Sequence, residues 1–302
     1  MNKQNIIANF DDFLNSYENK DYVNRSISNC FPIYSDIPIS EEYAYLIGKI
    51  IGDGNLDHTF TSRFIGTEED LKLLRDLIVE KFQINPSKCS IRRKIGKGIS
   101  YMLQVNCAYL GRILHILSAP IGNKTKTCFN IPHWILSRDN LKKRFLQALL
   151  EDEMTTIKIR KCNYSIRPRL KLAKKEELIL NLRDFMQQVR EAILSFGIKC
   201  GHLSNIIRSP GANSVELYFF INSNKDNIIK FAENIGFRLN RTKIKNLNEC
   251  VKILKKTRLN RKPIINESKI INLRKQGYSI RKIGKLVELN STSVHRVLNK
   301  IK

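Results

Sequence analysis

Apolar residues recur every three or four positions in several parts of the chain, which predicts helices there. The stretch YLIGKIIGDGN (45–55) is apolar along almost its whole length, and FLQALLEDEMT (145–155) repeats the pattern one hundred residues later. Each is followed by a long amphipathic segment, at Glu68–Phe82 and Glu176–Phe196. A shorter predicted helix closes each half, at 109–117 and 225–235.

Apolar and polar residues alternate between these helices, which predicts strands. The predicted strands lie at 88–94 and 100–107 in the first half, and at 156–161, 165–173, 203–208 and 215–222 in the second. Cations fill one side of three strands, namely Arg92 and Lys94, then Lys158 and Arg160, then Arg167, Arg169 and Lys171. Because acids are almost missing from that side, the pattern favours a phosphate-facing surface over an ordinary solvated face. An antiparallel strand pair fits the major groove of DNA.

The order helix-strand-strand-helix-strand-strand-helix therefore occurs twice. It predicts an α+β protein, a pseudo-two-fold tandem of two αββαββα subdomains with antiparallel sheets. We place an N-terminal extension at 1–40, the first subdomain at 41–140 and the second at 141–250. The extension contains one short amphipathic segment, which either braces the first subdomain or is partly disordered.

The last fifty residues predict a separate small domain. A basic linker at 251–263 has little apolar periodicity, and three short helices are predicted at 267–276, 279–287 and 291–299. Ser279 and Ser291 are the expected N-caps. This domain, 264–302, resembles the helix-turn-helix of resolvases and invertases, whose last helix enters the major groove. The resemblance makes five residues candidate DNA contacts: Ser291, Thr292, Ser293, His295 and Arg296. The alternative is a generic three-helix cap.

The charge of the chain points to a polyanionic partner. There are 53 Lys and Arg against 28 Asp and Glu, a net charge of +25. Residues 241–302 hold 18 of the cations and three of the acids, so this fifth of the chain contributes +15. Such an excess indicates nucleic acid first and a membrane surface second.

Cysteine content and hydropathy bear on the cellular compartment. The seven cysteines are widely spaced, without a zinc-knuckle pattern, and we expect reduced, mostly buried thiols. We see neither a signal peptide nor an apolar run of about 18 residues. We therefore expect an intracellular protein without a membrane partner. It would lie in the cytoplasm, close to the nucleoid in a prokaryote, or in an organelle.

The two apolar helices carry residues that work against helix stability. Glycine weakens a helix by about 1 kcal/mol relative to alanine, and an acid at the C-terminus faces the negative end of the helix dipole. Four positions of the repeat correspond: Leu46 with Leu146, Gly48 with Ala148, Ile50 with Leu150, and Asp53 with Glu153. A recurring small residue followed by a recurring terminal acid indicates a functional requirement.

These stretches, LIGKIIGDG (46–54) and FLQALLEDE (145–153), resemble the two motifs of a single-chain LAGLIDADG homing endonuclease. The resemblance implies that the motif helices pack side by side through Gly48, Gly52 and Ala148. It also implies that Asp53 and Glu153 meet beneath DNA and hold two or more Mg²⁺ ions. Gly52 is a further candidate at the metal site, and Asp152 is either a solvated neighbour or a metal ligand. We expect a monomer.

Three features depart from the family pattern. Met154 follows the second acid, where the family has glycine, and methionine tolerates the left-handed conformation poorly. Family members carry Gln or Lys near the end of the second strand of each copy to order the catalytic water. Lys174, with Lys175 beside it, fits that role in the second copy, and it is our third candidate catalytic residue. Gly66 and Thr67 stand there in the first copy.

The prediction is a site-specific, Mg²⁺-dependent endonuclease. The family resemblance further implies a double-strand break with short 3′ overhangs in DNA and a mobile intron as the host of the gene. The initial Met and the lack of terminal His-Asn favour a free-standing enzyme over an intein. One alternative is a DNA-binding regulator of the WhiA type, built on an inactive nuclease. The other is an intron RNA maturase, since a basic saddle serves either nucleic acid.

Overall fold

The computed structural model describes residues 6–8, 10–17, 37–94, 99–157, 168–209, 213–256, 267–287, 289 and 291–299. At the N-terminus, strand β1 (Ile6–Ala8) precedes helix α1 (Phe10–Asn15) and pairs antiparallel with β2 (Ile37–Pro38). Phe13 is buried, with its ring 4.8 Å from that of Tyr109. The described part of the N-terminal extension thus braces the first half.

The first half begins with helix α2 (Glu41–Ile51), whose N-cap Ser40 accepts a hydrogen bond from Tyr43 N at 3.2 Å. Its other elements are β3 (Asn55–Leu56), β4 (Ser62–Gly66), α3 (Glu68–Phe82), β5 (Cys89–Lys94), β6 (Ser100–Val105) and α4 (Ala108–Ile116). The strands form one antiparallel sheet in the order β3-β4-β6-β5. Helix α3 covers its inner face with Leu71, Leu74 and Ile78, which its amphipathic pattern buries.

The second half starts after the short helix α5 (His133–Leu136). It contains α6 (Asp139–Glu153), β7 (Arg169–Lys175), α7 (Ile179–Leu194), β8 (Ile207–Ser209), β9 (Ser214–Phe220) and α8 (Lys225–Asn234). The described strands form an antiparallel sheet in the order β7-β9-β8. Residues 158–161 of the predicted first strand lie outside the described residues.

A basic helix, α9 (Arg241–Lys256), follows the second half. Beyond it are α10 (Glu267–Lys275), α11 (Ile280–Leu286) and α12 (Ser291–Asn299). These last three helices form the C-terminal unit, which buries a small core of its own: Ile270, Ile283, Val294 and Val297. The main core is a separate cluster that runs through both halves and includes the inner faces of α2 and α6.

The mixed helix-and-sheet class predicted from the sequence is confirmed. Helix α3 has the predicted bounds, whereas the predicted helix from residue 176 opens with a 3₁₀ turn over Glu176–Leu178. Ser279 is the N-cap of α11, accepting from Lys282 N at 3.3 Å, but Ser291 is the first residue of α12 and not its cap. In the described ranges, none of the helices combines the length and apolarity needed to cross a membrane. All five cysteines of those ranges are free thiols.

Candidate active site

Helices α2 and α6 lie with their backbones in direct contact at Gly48. A Cβ atom at this position would lie 2.6 Å from the carbonyl oxygen of Phe145 and 2.8 Å from the Cβ of Ala148. Neither distance is compatible with a side chain. Glycine at position 48 therefore sets how closely the two helices approach, which outweighs its cost to helix propensity.

One turn later, Gly52 lies against Asp152. A Cβ atom at Gly52 would lie 2.5 Å from Asp152 Oδ2, and this oxygen accepts a hydrogen bond from Asp53 N at 3.0 Å. The other oxygen of Asp152 forms a buried ion pair with Lys49 across the helix interface. Asp152 thus holds the two helix ends together. This corrects the reading of Asp152 as a solvated neighbour, since its side chain is buried between the helices. Its reading as a metal ligand stays a prediction.

The two candidate acids lie at these ends. Asp53 follows α2 and is exposed, while Glu153 is the last residue of α6 and is half-buried. Burial, reinforced by the charge of Asp53, raises the pKa of Glu153 to about 7, although Lys124 opposes the shift. The structure therefore brings the carboxylate of Asp53 close enough to disfavour the charged form of Glu153.

A lysine caps the C-terminus of each motif helix. The ammonium of Lys124 donates to Ile51 O at 3.1 Å, at the end of α2. At the end of α6, the ammonium of Lys243 donates to Leu150 O at 3.2 Å, to Met154 O at 2.5 Å and to Glu151 O. Each lysine compensates the negative end of a helix dipole.

Lys124 also faces the acids. Burial lowers the pKa of Lys124, and the charges of Glu153 and Asp53 oppose that shift, so a cation lies within reach of both carboxylates.

The sequence analysis missed both of these lysines. Lys243 had a readable signal, because it shares a helical stripe with Leu247, Cys250 and Leu254, so a lysine stands where a buried residue is expected. Lys124 had no such signal, because nothing in the sequence distinguishes it from Lys126, two residues later in the same segment.

Two carboxylates at adjoining helix ends suit a hard divalent cation such as Mg²⁺, which takes carboxylate, phosphate and water oxygens. No group of three or more His, Cys, Asp or Glu side chains in the described ranges is arranged to hold a metal ion. Asp53 and Glu153 are the candidate side-chain ligands, and the remaining positions would fall to substrate and water. Both oxygens of Asp152 already accept hydrogen bonds, one from Lys49 Nζ and one from Asp53 N.

Lys174 does not lie where its predicted catalytic role requires. It is buried on the inner side of β7, in phase with Leu170, and its ammonium donates to Thr127 O at 2.8 Å and to the side chain of Asn181. Its hydrogen bonds fasten the segment that joins the two halves. The alternation of β7 explains the correction, because position 174 shares the parity of the core residues and not that of Lys171.

In the first half, Gly66 and Thr67 line a cavity of about 230 Å³ that opens beside Asp53. Gly66 has no side chain, and the hydroxyl of Thr67 caps α3 by accepting from Asp70 N at 3.2 Å. The first half thus has an open space where the family pattern has Gln or Lys.

Met154 follows Glu153 in an extended conformation, with φ −96° and ψ 138°, and its side chain is buried. The left-handed conformation that made methionine unsuitable here is not adopted, so this objection to the second acid does not apply.

Glu151 links α6 to the start of α9. The side chain is 2% exposed, and it accepts from Tyr45 OH at 2.5 Å. Its other oxygen accepts from the backbone N–H groups of residues 238, 239 and 240. Lys243 of α9 also donates to the carbonyls at the end of α6. The end of α6 is therefore held both by the side chain of Glu151 and by that of Lys243.

The predicted cationic faces are partly described. Arg92 and Lys94 are exposed on β5. Arg169 and Lys171 are half-buried on β7, where Lys171 forms an ion pair with Glu216 at 2.8 Å. This acid corrects the expectation of a nearly acid-free face in the second half. Three predicted contacts, Lys158, Arg160 and Arg167, lie outside the described residues.

The predicted contacts of the C-terminal unit lie on one side of α12. Ser291, Thr292, His295 and Arg296 are exposed, Ser293 is half-buried, and Val294 and Val297 face the core of the unit. The helix therefore presents a polar face to solvent that includes its N-terminal turn.

Several curated proteins share a segment with this chain, whereas no protein-family model matches it. The polymerase subunit Rpo1N of Methanocaldococcus jannaschii is 32% identical over 172 residues, 52% of this chain and 13% of that protein. The tRNA-splicing ligase RtcB of Pyrococcus abyssi is 30% identical over 181 residues, 56% and 19% of the two chains. The replication factor C small subunit of M. jannaschii is 27% identical over 208 residues, which are 65% of this chain and 11% of that protein. The chain spans less than a fifth of each of these relatives.

Similar solved structures are LAGLIDADG proteins. I-DmoI in complex with DNA and Ca is 17% identical, with 67% of this chain and 95% of that chain covered and a TM-score of 0.42. I-WcaI bound to its DNA recognition sequence is 14% identical, with coverage of 78% and 98% and a TM-score of 0.44. The N-terminal LAGLIDADG domain of DUF199/WhiA is 18% identical, with coverage of 68% and 86% and a TM-score of 0.39.

Proposed function

We propose that the protein is a site-specific endonuclease for double-stranded DNA, built as a pseudo-two-fold LAGLIDADG tandem. The observation that carries the proposal is the meeting of α2 and α6. Gly48 and Gly52 bring the helices together, Asp53 and Glu153 converge at their ends, and the positive charge of Lys124 acts on both acids.

Each group has a separate part in this proposal. Asp53 and Glu153 would hold divalent cations, which activate water and stabilise the leaving oxygen in phosphodiester hydrolysis. Lys124 is placed to orient the acids and to meet charge that develops on the phosphate. Lys243 would keep the end of α6, and with it Glu153, in position.

The DNA would lie across the outer faces of the two sheets, with the cations of β5 and β7 along its backbone. We assign subdomains 41–140 and 141–250 to the two halves of the target site. The C-terminal unit would act as a helix-turn-helix that places α12 in an adjoining major groove.

The curated relatives support a module whose activity is independent of the protein in which it occurs. A polymerase subunit, an RNA ligase and a replication factor subunit share no named activity, yet each matches half or more of this chain over a small part of its own length. A segment found in such different proteins does not depend on the activities for which they are named.

The direct test is cleavage of duplex DNA that rejoins the sequences flanking the gene's insertion point. We expect a double-strand break with Mg²⁺ and none with EDTA. Asp53→Asn and Glu153→Gln should each reduce the rate at least 100-fold while DNA affinity in EDTA is retained, because the loss concerns metal ligands and not the sheet faces. Specific binding without any cut, identical in wild type and variants, would contradict the proposal.

Lys124 gives a second test. We expect Lys124→Met to lower the cleavage rate about 10- to 1000-fold with little change in DNA affinity, because a single cation at the reacting phosphate is lost. Lys126→Met is the matched control, since Lys126 is exposed at the end of the 3₁₀ turn Lys124–Lys126, and the variant should retain activity. Equal rates for the two variants in a single-turnover assay would remove Lys124 from the site.

A DNA-binding regulator without nuclease activity is the second candidate. It is favoured by the cavity beside Asp53, where the first half offers Gly66 and Thr67 and neither an amide nor an ammonium. Sequence-specific binding that protects a promoter and cuts no duplex would select this candidate.

A further inference from the structure

The outer face of the second sheet carries an apolar strip formed by Ile207, Tyr218 and Phe220. Phe220 is 37% exposed and Ile207 is 43% exposed. The rings of Tyr218 and Phe220 lie edge to face with centroids 5.4 Å apart. In the strand register, Ile207 is paired with Glu216, so all three residues of the apolar strip lie on the side of β9 that faces away from the core.

Cations border the apolar strip. Arg169 pairs in register with Phe220, and its guanidinium lies 5.4 Å from the ring centroid of Tyr218. Lys171 pairs in register with Tyr218 and is bridged to Glu216. Glu216 lies on the same face beside Ile207, where the ammonium of Lys171 neutralises it, so Arg169 leaves the border with a net positive charge. An apolar centre with such a border suits a base edge that is flanked by phosphates.

The corresponding face of the first sheet is chemically different. Ser90, Gln104 and Arg63 lie side by side across three strands, and Asn55 pairs with Arg63 at the edge. Gln104 and Arg63 of this row can offer hydrogen bonds at base edges, whereas the hydroxyl of Ser90 is buried. Ile65 and Met102 pair in register one row along this face and are half-buried, as Tyr218 is in the second sheet, so one apolar pair lies beside the polar row.

We propose that the apolar strip recognises thymine through its C5-methyl group in the major groove. The second sheet would then require thymines in its half of the DNA site, whereas the polar row of the first sheet would read bases by hydrogen bonds. This inference rests on the proposed function, because it assumes that both outer faces contact DNA.

The chemistry supports this assignment. Thymine is the base that presents a methyl group in the major groove, and aromatic and aliphatic side chains read it by apolar contact. Burying one methyl group corresponds to about a four-fold change in affinity. Uracil pairs with adenine as thymine does and lacks only that methyl group, so it isolates the contact.

The experiment uses the full chain in EDTA. A bound duplex is selected from a randomised DNA pool, and each thymine is then replaced singly by deoxyuridine. We expect wild type to lose about three- to ten-fold affinity at thymines of one half of the site and to be indifferent in the other half. In Phe220→Ser and Ile207→Ser, the difference between thymine and uracil should disappear at one or more of those positions.

The control is Leu180→Ser, which removes a side chain that is 74% exposed on α7. This variant should discriminate uracil as wild type does, and all variants should melt alike. Uniform indifference to uracil with intact binding and cleavage would overturn the inference and leave the proposed function standing. A chain that neither binds nor cuts any duplex would overturn both.

Discussion

At the scale of single residues, Glu153 couples the candidate site to the stability of the fold. The folded protein raises the pKa of Glu153 from 4.5 to about 7, so between these values it retains a proton that the unfolded chain releases. The stability present below pH 4.5 is therefore lost as the pH rises through 7. Above pH 7 the charged carboxylate costs up to about 3 kcal/mol when no cation balances it.

Glu153→Gln should remove this cost. In EDTA near pH 8 we expect the free energy of unfolding of the variant to exceed that of wild type by about 1–3 kcal/mol, and near pH 5 the two should nearly coincide. Urea unfolding at both pH values measures the difference, and Glu177→Gln on the exposed surface is the control. A gain that is the same at both pH values would show that titration of Glu153 is not its source.

Sequence reasoning at this scale located residues whose positions depend on local sequence. Asp53 and Glu153 lie at the ends of the two repeated helices, as the repeat predicted. Lys124 was not found, because its role depends on a fold that returns the chain to Ile51, 73 residues earlier. Lys174 was misplaced although its parity along the strand already grouped it with Leu170 and Leu172.

At the scale of elements, the contact between α2 and α6 is limited by glycine. We expect Gly48→Ala to lower the free energy of unfolding by about 1–3 kcal/mol, although alanine favours helices, because its Cβ would meet the backbone of Phe145. Gly66→Ala is the control, since its nearest neighbour is an atom of Leu71 at 3.5 Å. Chemical denaturation of both variants decides the point, and a Gly48→Ala protein as stable as wild type would contradict the close contact.

Helices were easier to predict than strands. Glu68–Phe82 has its own start signal in Thr67 and its own apolar stripe, so its bounds follow from local sequence. Strand β8 is only Ile207–Ser209, shorter and later than predicted, because the preceding residues pair with β9 irregularly and through the side chain of Ser204. Pairing of that kind depends on the partner strand and leaves no period-two pattern to find.

At the scale of the whole molecule, two separate cores imply that the C-terminal unit can be disrupted alone. Gly284→Ala would place a Cβ 2.6 Å from Leu289 O inside that unit, far from α2 and α6. We expect weaker DNA binding and a shallower salt dependence, because residues 257–302 hold 12 Lys and Arg against two acids. Cleavage at low salt should persist.

Lys285→Ala is the comparison for that variant, since it removes one exposed cation and leaves the unit folded. The slope of its log affinity against log salt concentration should fall by about one at most, which corresponds to the loss of one phosphate contact. Titrations over a series of salt concentrations give both slopes. If Gly284→Ala kept the wild-type slope, the C-terminal unit would not contribute to binding.

The buried ion pair between Lys49 and Asp152 makes the helix interface directional. Because the two motifs correspond with an offset of 100 residues, a symmetric pair of first halves would place Lys49 against Gly52 of the other copy. A symmetric pair of second halves would place Asp152 against Leu149, so in either pair the charge would lack its opposite. Uncompensated buried charges are strongly destabilising. The ion pair therefore favours contact between unlike helices, and an exchange of halves between two molecules would have to preserve the contact of Lys49 with Asp152.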